Sequence, residues 1–76
     1  MKAIVWSKNG CAFCRRAKKY LECLDIDIEE RNVSETWSRE ALFEAVPDAK
    51  TLPQIFIDGK YVGGYTELTN YFKETQ

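Results

Sequence analysis

Two cysteines separated by two residues carry the most specific chemistry in this 76-residue sequence. Cys11 and Cys14 follow an Asn-Gly break and stand where a helical pattern begins. At the start of a helix this spacing puts the two Cα atoms roughly 5–6 Å apart, within reach of a disulfide. In a reducing compartment such a pair is more often catalytic or metal-binding than structural. The spacing therefore predicts a redox-active dithiol.

The two thiols are not expected to be equivalent. Cys11, at or just before the first helical residue, faces unpaired backbone N–H groups and the positive end of the helix dipole. Lys8, Arg15 and Arg16 add positive charge nearby. These effects favour a thiolate, so we expect a lowered pKa for Cys11 and assign it as the nucleophile. Cys14, one turn further along, is predicted to be the more buried resolving thiol.

The cysteine count argues against a structural zinc site and against a disulfide framework. The sequence has three cysteines and no histidine, whereas a structural zinc site usually takes four Cys or His ligands. An odd count also does not fit the disulfide framework of a secreted protein. We therefore expect no metal site, unless subunits share a zinc ion. Cys23 is interpreted as a partly buried small apolar residue, with a regulatory or intermolecular thiol as the alternative.

The composition indicates one small globular domain over residues 1–76. Hydrophobic residues make up 45% of the chain and aromatic residues 13%, which is enough for a core. A net charge of −1 argues against a protein that binds nucleic acid through bulk charge. No apolar run approaches the roughly 18 residues of a membrane span, and the first residues are too short for a signal peptide. We expect a cytoplasmic protein with no membrane partner.

The apolar pattern of the first half of the chain predicts a strand, a helix and a second strand. Residues 2–7 contain a short apolar run, Ala-Ile-Val-Trp, that is typical of a buried strand. A helical stripe then begins at Phe13 and includes Phe13, Ala17, Tyr20, Leu21 and Leu24. Residues 25–29 alternate with period two, which indicates a strand with one solvated face.

The second half predicts a helix, a hairpin and a last helix. Ser34 or Thr36 is expected to cap the second helix. Asp58-Gly59 between two apolar runs is a strong hairpin signal, and Thr66 is expected to cap the last helix. The order is therefore β-α-β-α-β-β-α, an α/β fold. The first β-α-β unit should be parallel and the hairpin antiparallel, which gives a four-stranded mixed sheet flanked by three helices.

Three segments resemble glutaredoxins. Residues 8–18 (KNGCAFCRRAK) are similar to the active-site segment of that family, residues 51–59 (TLPQIFIDG) to its Thr-Val-Pro segment, and residues 63–68 (GGYTEL) to its Gly-Gly turn. They occur in the family's order and spacing, and the resemblance covers essentially the whole chain. It implies a thioredoxin-like fold and a glutathione-dependent thiol–disulfide oxidoreductase with a redox disulfide between Cys11 and Cys14.

The resemblance also implies a glutathione site. The bond between Leu52 and Pro53 should be cis and lie beside Cys11, so that the Leu52 backbone pairs with the cysteine of glutathione. Thr66 at a helix N-terminus would take the γ-glutamyl carboxylate, and Lys8 the glycine carboxylate. The predicted glutathione-binding residues are Lys8, Phe13, Thr51, Leu52, Pro53, Gly64, Tyr65 and Thr66.

The sequence departs from the commonest family pattern at three positions. Ala12 and Phe13 stand between the cysteines where Pro and Tyr are usual, so a rigid first helical residue and a hydroxyl are both missing. The aspartate often found after the Gly-Gly turn is interpreted as Thr66 here. Carboxylate binding at that point would then depend on a neutral group.

These observations predict a monomeric enzyme that reduces protein disulfides and glutathione mixed disulfides. Its partners are glutathione and protein substrates, with ribonucleotide reductase as a candidate, and no nucleic acid. One alternative is a glutaredoxin-like electron donor reduced by thioredoxin reductase. Another is a carrier of a [2Fe–2S] cluster, held by the first cysteine of two subunits and glutathione; Ala12 leaves this alternative open.

Overall fold

The computed structural model describes residues 1–74, which form a four-stranded sheet with helices on both faces. The elements are β1 (Lys2–Ser7), α1 (Ala12–Cys23), β2 (Asp27–Asn32), α2 (Arg39–Ala45), β3 (Gln54–Ile57), β4 (Lys60–Gly63) and α3 (Tyr65–Glu74). The strand order is β2-β1-β3-β4, in which β1 runs parallel to β2 and antiparallel to β3, and β3 and β4 are antiparallel. The predicted element order and mixed sheet are confirmed.

The strand β1 is central, and its alternate residues belong to two separate apolar clusters. Ala3 and Val5 belong to the main cluster, which packs α1 and α3 on one face of the sheet. Trp6 belongs to the second, where Leu42 and Val46 cover the other face. Because both faces of β1 are buried, its sequence is a continuous apolar run rather than an alternating one.

The buried face of α1 is rotated relative to the predicted stripe. Ala17 and Leu21 are fully buried as expected, but the third buried residue of the helix is Cys14. Phe13 is 53% exposed and Leu24 36% exposed, so their assignment to the core stripe was wrong. The sheet-facing line is Cys14, Ala17 and Leu21, because Leu24 lies just beyond the last helical turn as the C-cap.

The strand β2 begins two residues later than predicted. Asp25 has a φ of +57° and belongs to the turn that closes α1, where its backbone N–H donates to the carbonyl oxygen of Glu22. The parallel register with β1 then pairs Lys2 with Asp27 and Ser7 with Asn32. Pairing with β1 therefore decides the bounds of this edge strand, and the period-two pattern alone placed it too early.

The second helix begins at Arg39, so the expected cap at Ser34 or Thr36 was wrong. Ser38 is the N-cap, and its side chain accepts a hydrogen bond from the backbone N–H three residues later at 3.1 Å. Two backbone N–H groups between β2 and α2 donate to the carbonyl oxygen of Asn32 and hold that segment in turns. Ser34 instead accepts a hydrogen bond from the backbone N–H of Asn9 at 3.1 Å.

The hairpin between β3 and β4 has the predicted turn. Asp58 and Gly59 have φ angles of +49° and +84°, and two successive positive φ angles are what a type I′ turn requires. The Asp58 side chain accepts a hydrogen bond from the Lys2 backbone N–H at 2.9 Å, and the Asp58 N–H donates to the Lys2 carbonyl oxygen at 2.9 Å. The hairpin is thereby tied to the start of β1.

In the part of the chain that the structure describes, the helices are all too short or too polar to span a membrane.

An ion pair joins α1 to the edge strand. The Glu30 carboxylate accepts hydrogen bonds from Lys18 Nζ and Ser7 Oγ, each at 2.7 Å. The Lys18 ammonium first, and the Ser7 hydroxyl second, lower the pKa of Glu30 from its ordinary value of 4.5. A carboxyl group with a lowered pKa stabilises the fold above its unfolded pKa and loses that contribution as the pH falls through its folded pKa.

We predict that Glu30→Gln lowers the free energy of unfolding at pH 7 by about 0.2–1 kcal/mol, because the pair is partly exposed. The difference from wild type should shrink as the pH falls below 4.5 and the wild-type carboxylate becomes protonated. Urea unfolding over a pH series measures this, with the exposed Glu44→Gln as the matched control. A difference that does not change with pH would contradict the prediction.

Candidate active site

The cysteine pair lies at the junction of β1 and α1. Cys11 is the N-cap of α1, and Gly10, with a φ of +72°, allows the chain to turn into the helix just before it. Cys11 and Cys14 form a disulfide with a Cα–Cα distance of 5.2 Å, as the spacing predicted. Cys14 is 1% exposed and Cys11 8%. The expectation that Cys14 is the more buried of the two is confirmed.

The sulfur of Cys11 takes the place of the oxygen in an ordinary helix cap. The backbone N–H of Cys14 donates to Cys11 Sγ at 3.2 Å, which is the hydrogen bond that a capping serine usually accepts. When the disulfide is reduced, the same N–H and the helix dipole favour a negative charge on this sulfur. The local backbone therefore supports a thiolate at Cys11.

The second wall of the site comes from the segment before β3. The bond between Leu52 and Pro53 is cis, as the resemblance implied. The Sγ atom of Cys11 lies 3.6 Å from the carbonyl oxygen of Leu52, although the two residues are far apart in sequence. Since the Leu52 backbone reaches the sulfur, a thiol compound bound along this segment would approach Cys11 directly.

Seven of the eight predicted glutathione-binding residues lie together around one open groove of about 240 Å³. The groove is lined by Phe13, Thr51, Leu52, Pro53, Gly64, Tyr65, Thr66 and Glu67. The Phe13 and Tyr65 rings, with centroids 6.0 Å apart, form its aromatic side. We call this the cis-proline groove.

Lys8, the eighth predicted residue, lies in an adjoining cavity of about 80 Å³. Thr51 and Leu52 line both spaces, so the cavity continues the cis-proline groove on the far side of Leu52. Arg39 and Lys50 also line it, which gives three cations in one place. The sequence reasoning missed Arg39 and Lys50. The signal for Arg39 was the Ser38 cap, which places it in the first turn of α2.

The start of α3 differs from the prediction. Thr66 is the second residue of the helix, so its assignment as the N-cap was wrong. The Gly64 backbone N–H donates to Glu67 Oε1 at 2.8 Å, so a carboxylate lies at this end of the cis-proline groove. This carboxylate belongs to Glu67, which the sequence reasoning did not assign to the site. The missed signal is the spacing between Gly64, which precedes α3, and Glu67. A glutamate three residues after the residue before a helix is the spacing of a capping box.

Cys23 is exposed at the last residue of α1, and its interpretation as partly buried was wrong. At about 100° per residue, it points well away from the sheet-facing line that ends at Leu21.

Across residues 1–74, no three Cys, His, Asp or Glu side chains come together as a candidate metal site.

Comparison with known proteins places this geometry in a family. The family model for glutaredoxin matches residues 3–62. Glutaredoxin 1 of Escherichia coli (strain K12) is 29% identical over an alignment of 84 positions, gaps included, that covers 97% of this chain and 95% of that protein. Glutaredoxin-C4 of Arabidopsis thaliana is 29% identical over an alignment of 77 positions, gaps included, that covers 95% of this chain and 56% of that protein. The chain thus spans little more than half of the plant relative.

The solved structures show the same fold. A crystal structure of a buckwheat glutaredoxin–glutathione complex matches with a TM-score of 0.82 and 25% sequence identity, over 96% of this chain and 69% of that one. Together with the observed element order, this confirms the predicted thioredoxin-like fold.

A glycine is required where β4 meets the cis-proline groove. Gly63 has a φ of +123°, and a Cβ atom added there would lie 2.9 Å from the Cβ of Glu67. We predict that Gly63→Ala destabilises the fold by about 1–3 kcal/mol, measured by urea unfolding. The neighbouring Gly64→Ala is the matched control and should cost less, because its added Cβ would meet no atom closer than 3.2 Å. Equal losses in the two variants would refute this explanation.

Proposed function

Because the chain belongs to the glutaredoxin family of thiol–disulfide oxidoreductases, we propose that it reduces protein disulfides and glutathione mixed disulfides with glutathione as the reductant. The observation that carries the proposal is the cis-proline groove. It gathers seven predicted glutathione-binding residues, among them Leu52, whose carbonyl oxygen lies 3.6 Å from Cys11 Sγ. The matching buckwheat structure is a glutaredoxin–glutathione complex, which supports the same ligand here.

Reduction of a substrate begins at Cys11. Its thiolate attacks one sulfur of the substrate disulfide, so that a Cys11–substrate disulfide forms, the substrate S–S bond breaks, and the departing thiolate takes a proton from water. For a protein disulfide, the Cys14 thiolate then attacks the Cys11 sulfur. This forms the Cys11–Cys14 disulfide and releases the second substrate thiol. Two electrons pass from the dithiol to the substrate.

Two molecules of glutathione restore the dithiol. The thiolate of the first attacks the Cys11 sulfur, forms a Cys11–glutathione disulfide and releases the Cys14 thiolate, which is protonated. The thiolate of the second attacks the glutathione sulfur of that mixed disulfide and releases Cys11 and glutathione disulfide. The near-complete burial of Cys14 supports this order, since an incoming thiolate reaches Cys11 more readily.

The charges around the cis-proline groove suit a tripeptide with two carboxylates and one ammonium group. The Leu52 backbone would pair with the central cysteine of glutathione. Lys8, with Arg39 and Lys50 beside it, would hold the glycine carboxylate on the far side of Leu52. At the other end, the first-turn N–H groups of α3 around Thr66 would take the γ-glutamyl carboxylate and Glu67 its ammonium.

Other parts of the hypothesis go beyond these contacts and stay predictions. They are a single domain over residues 1–76, a monomer, a cytoplasmic location and ribonucleotide reductase as a substrate. Reduction by thioredoxin reductase and a [2Fe–2S] cluster stay the alternatives.

Single-cysteine variants test the roles of the two thiols. We predict that Cys14→Ser keeps reduction of glutathione mixed disulfides, since that reaction needs only Cys11, and loses reduction of intramolecular protein disulfides. Cys11→Ser should lose both. NADPH consumption coupled to glutathione reductase measures both activities, with a glutathionylated peptide and a disulfide-bonded protein as substrates. Activity of Cys11→Ser on either substrate would overturn the nucleophile assignment.

A variant of the cation cluster tests glutathione binding. We predict that Arg39→Ala raises KM for glutathione about threefold to tenfold, the effect of losing roughly 1 kcal/mol of charge interaction. Alanine keeps the start of α2 helical, so the fold should be unaffected. Lys60→Ala, which removes the same charge at the start of β4, is the matched control. An unchanged KM in Arg39→Ala would remove this residue from the glutathione site.

A further inference from the structure

A further depression, which the reaction above does not use, runs along the exposed side of α1. It has a volume of about 750 Å³ and is lined by Ala12, Arg15, Arg16, Lys19, Tyr20, Cys23 and Tyr65. Three of these seven residues are cations and none is an acid. We call it the basic groove. Tyr65 lines both this groove and the cis-proline groove, so the two lie side by side.

Within the described residues, the three cations of the basic groove are not held in ion pairs. Over residues 1–74, neither Arg15 nor Lys19 makes an ion pair, whereas Lys18 on the neighbouring face is held by Glu30. The Arg16 guanidinium lies over the Phe13 ring, 5.3 Å from its centroid, which positions the cation and leaves it charged. Like charges one turn apart on a helix repel each other, and an anion bound between them relieves this repulsion.

The position of the basic groove links it to the redox site. It begins at Ala12, directly after Cys11, and ends at Cys23. At 1.5 Å per residue this length of helix spans about 16 Å, which matches roughly five residues of extended polypeptide. The groove is therefore long enough for a peptide segment and lies where a substrate disulfide at Cys11 would place its flanking residues.

We propose that the basic groove binds an acidic, extended segment of a protein substrate next to the disulfide that Cys11 attacks. This inference rests on the proposed function and names a class of substrate for it. Aspartate and glutamate side chains of the segment would pair with Arg15, Arg16 and Lys19, while Tyr20 and Tyr65 contact its apolar parts. A polypeptide fits better than a nucleic acid, because the chain carries a net charge of −1 and would repel a long run of phosphates beyond the groove.

The first test uses Cys23 as a reporter and needs no turnover. In the oxidised protein Cys23 is the one free thiol among the three cysteines, and it is exposed at the far end of the basic groove. The probe is a five-residue peptide with three glutamates and a terminal bromoacetyl group, compared with the same peptide carrying glutamines. At low salt the acidic peptide should alkylate Cys23 about tenfold faster. Lys19→Glu should abolish that advantage.

Two controls isolate the effect of the groove. The rate at which iodoacetamide alkylates Cys23 is measured in each variant. It is used to correct the peptide alkylation rates for a direct effect of residue 19 on the thiol. Lys60→Glu makes the same change in net charge at β4, away from the basic groove, and should keep the preference for the acidic peptide. Equal rates for the two peptides, or equal losses in both variants, would overturn the proposal. Faster reaction of a bromoacetyl-labelled single-stranded oligonucleotide would overturn the choice of a polypeptide.

A second test asks whether binding serves catalysis. The substrates are two disulfide-bonded peptides that differ only in glutamate or glutamine beside the cysteine, with the small neutral hydroxyethyl disulfide as reference. Lys19→Glu should lower kcat/KM for the acidic peptide about threefold to tenfold and leave the reference unchanged. Equal wild-type values for the two peptides would overturn the proposal. If glutathione supports no turnover at all, the proposed function fails, and the alkylation result still decides whether the basic groove binds acidic segments.

Discussion

The hydrogen bond from the Cys14 backbone N–H to Cys11 Sγ ties the chemistry of this protein to its fold. It exists because Cys11 is the N-cap of α1, and it makes one atom both the helix cap and the proposed nucleophile. Ala17 and Leu21, fully buried against the sheet, hold the helix that supplies this N–H. Packing in the core is therefore what keeps the thiolate-stabilising end of the helix at the end of β1.

The second constraint is the antiparallel pairing of β1 with β3. The register sets Trp6 opposite Gln54. The residues that follow β1 and the residues that precede β3 therefore lie at the same end of these two strands. Pro53 immediately precedes β3, and this pairing brings the Leu52 carbonyl oxygen to Cys11. A site built from residues distant in sequence thus follows from strand order. The cis-proline groove and the cavity lined by Lys8, Arg39 and Lys50 both extend from this site, and both are lined by the segment that contains Leu52.

The sequence predicted the element order, the hairpin turn, the disulfide geometry and seven residues of the cis-proline groove, because each has a local pattern or a motif. It failed where several local signals compete. Ser34, Thr36 and Ser38 are all good caps, and the turns that close on the Asn32 carbonyl oxygen decide between them. The contribution of Arg39 and Lys50 depends on how α2 and the following loop pack, which no local pattern encodes. Glu67 had a local signal, the capping-box spacing, that was overlooked.

The central claim is that glutathione, bound in the cis-proline groove, returns electrons to Cys11. The most direct test follows NADPH consumption with hydroxyethyl disulfide in two parallel assays, one with glutathione and glutathione reductase, the other with thioredoxin reductase alone. Turnover in the glutathione assay only is the result expected from a groove that recognises the tripeptide. Turnover with thioredoxin reductase only would keep the fold and the nucleophile but contradict the assignment of the cis-proline groove to glutathione.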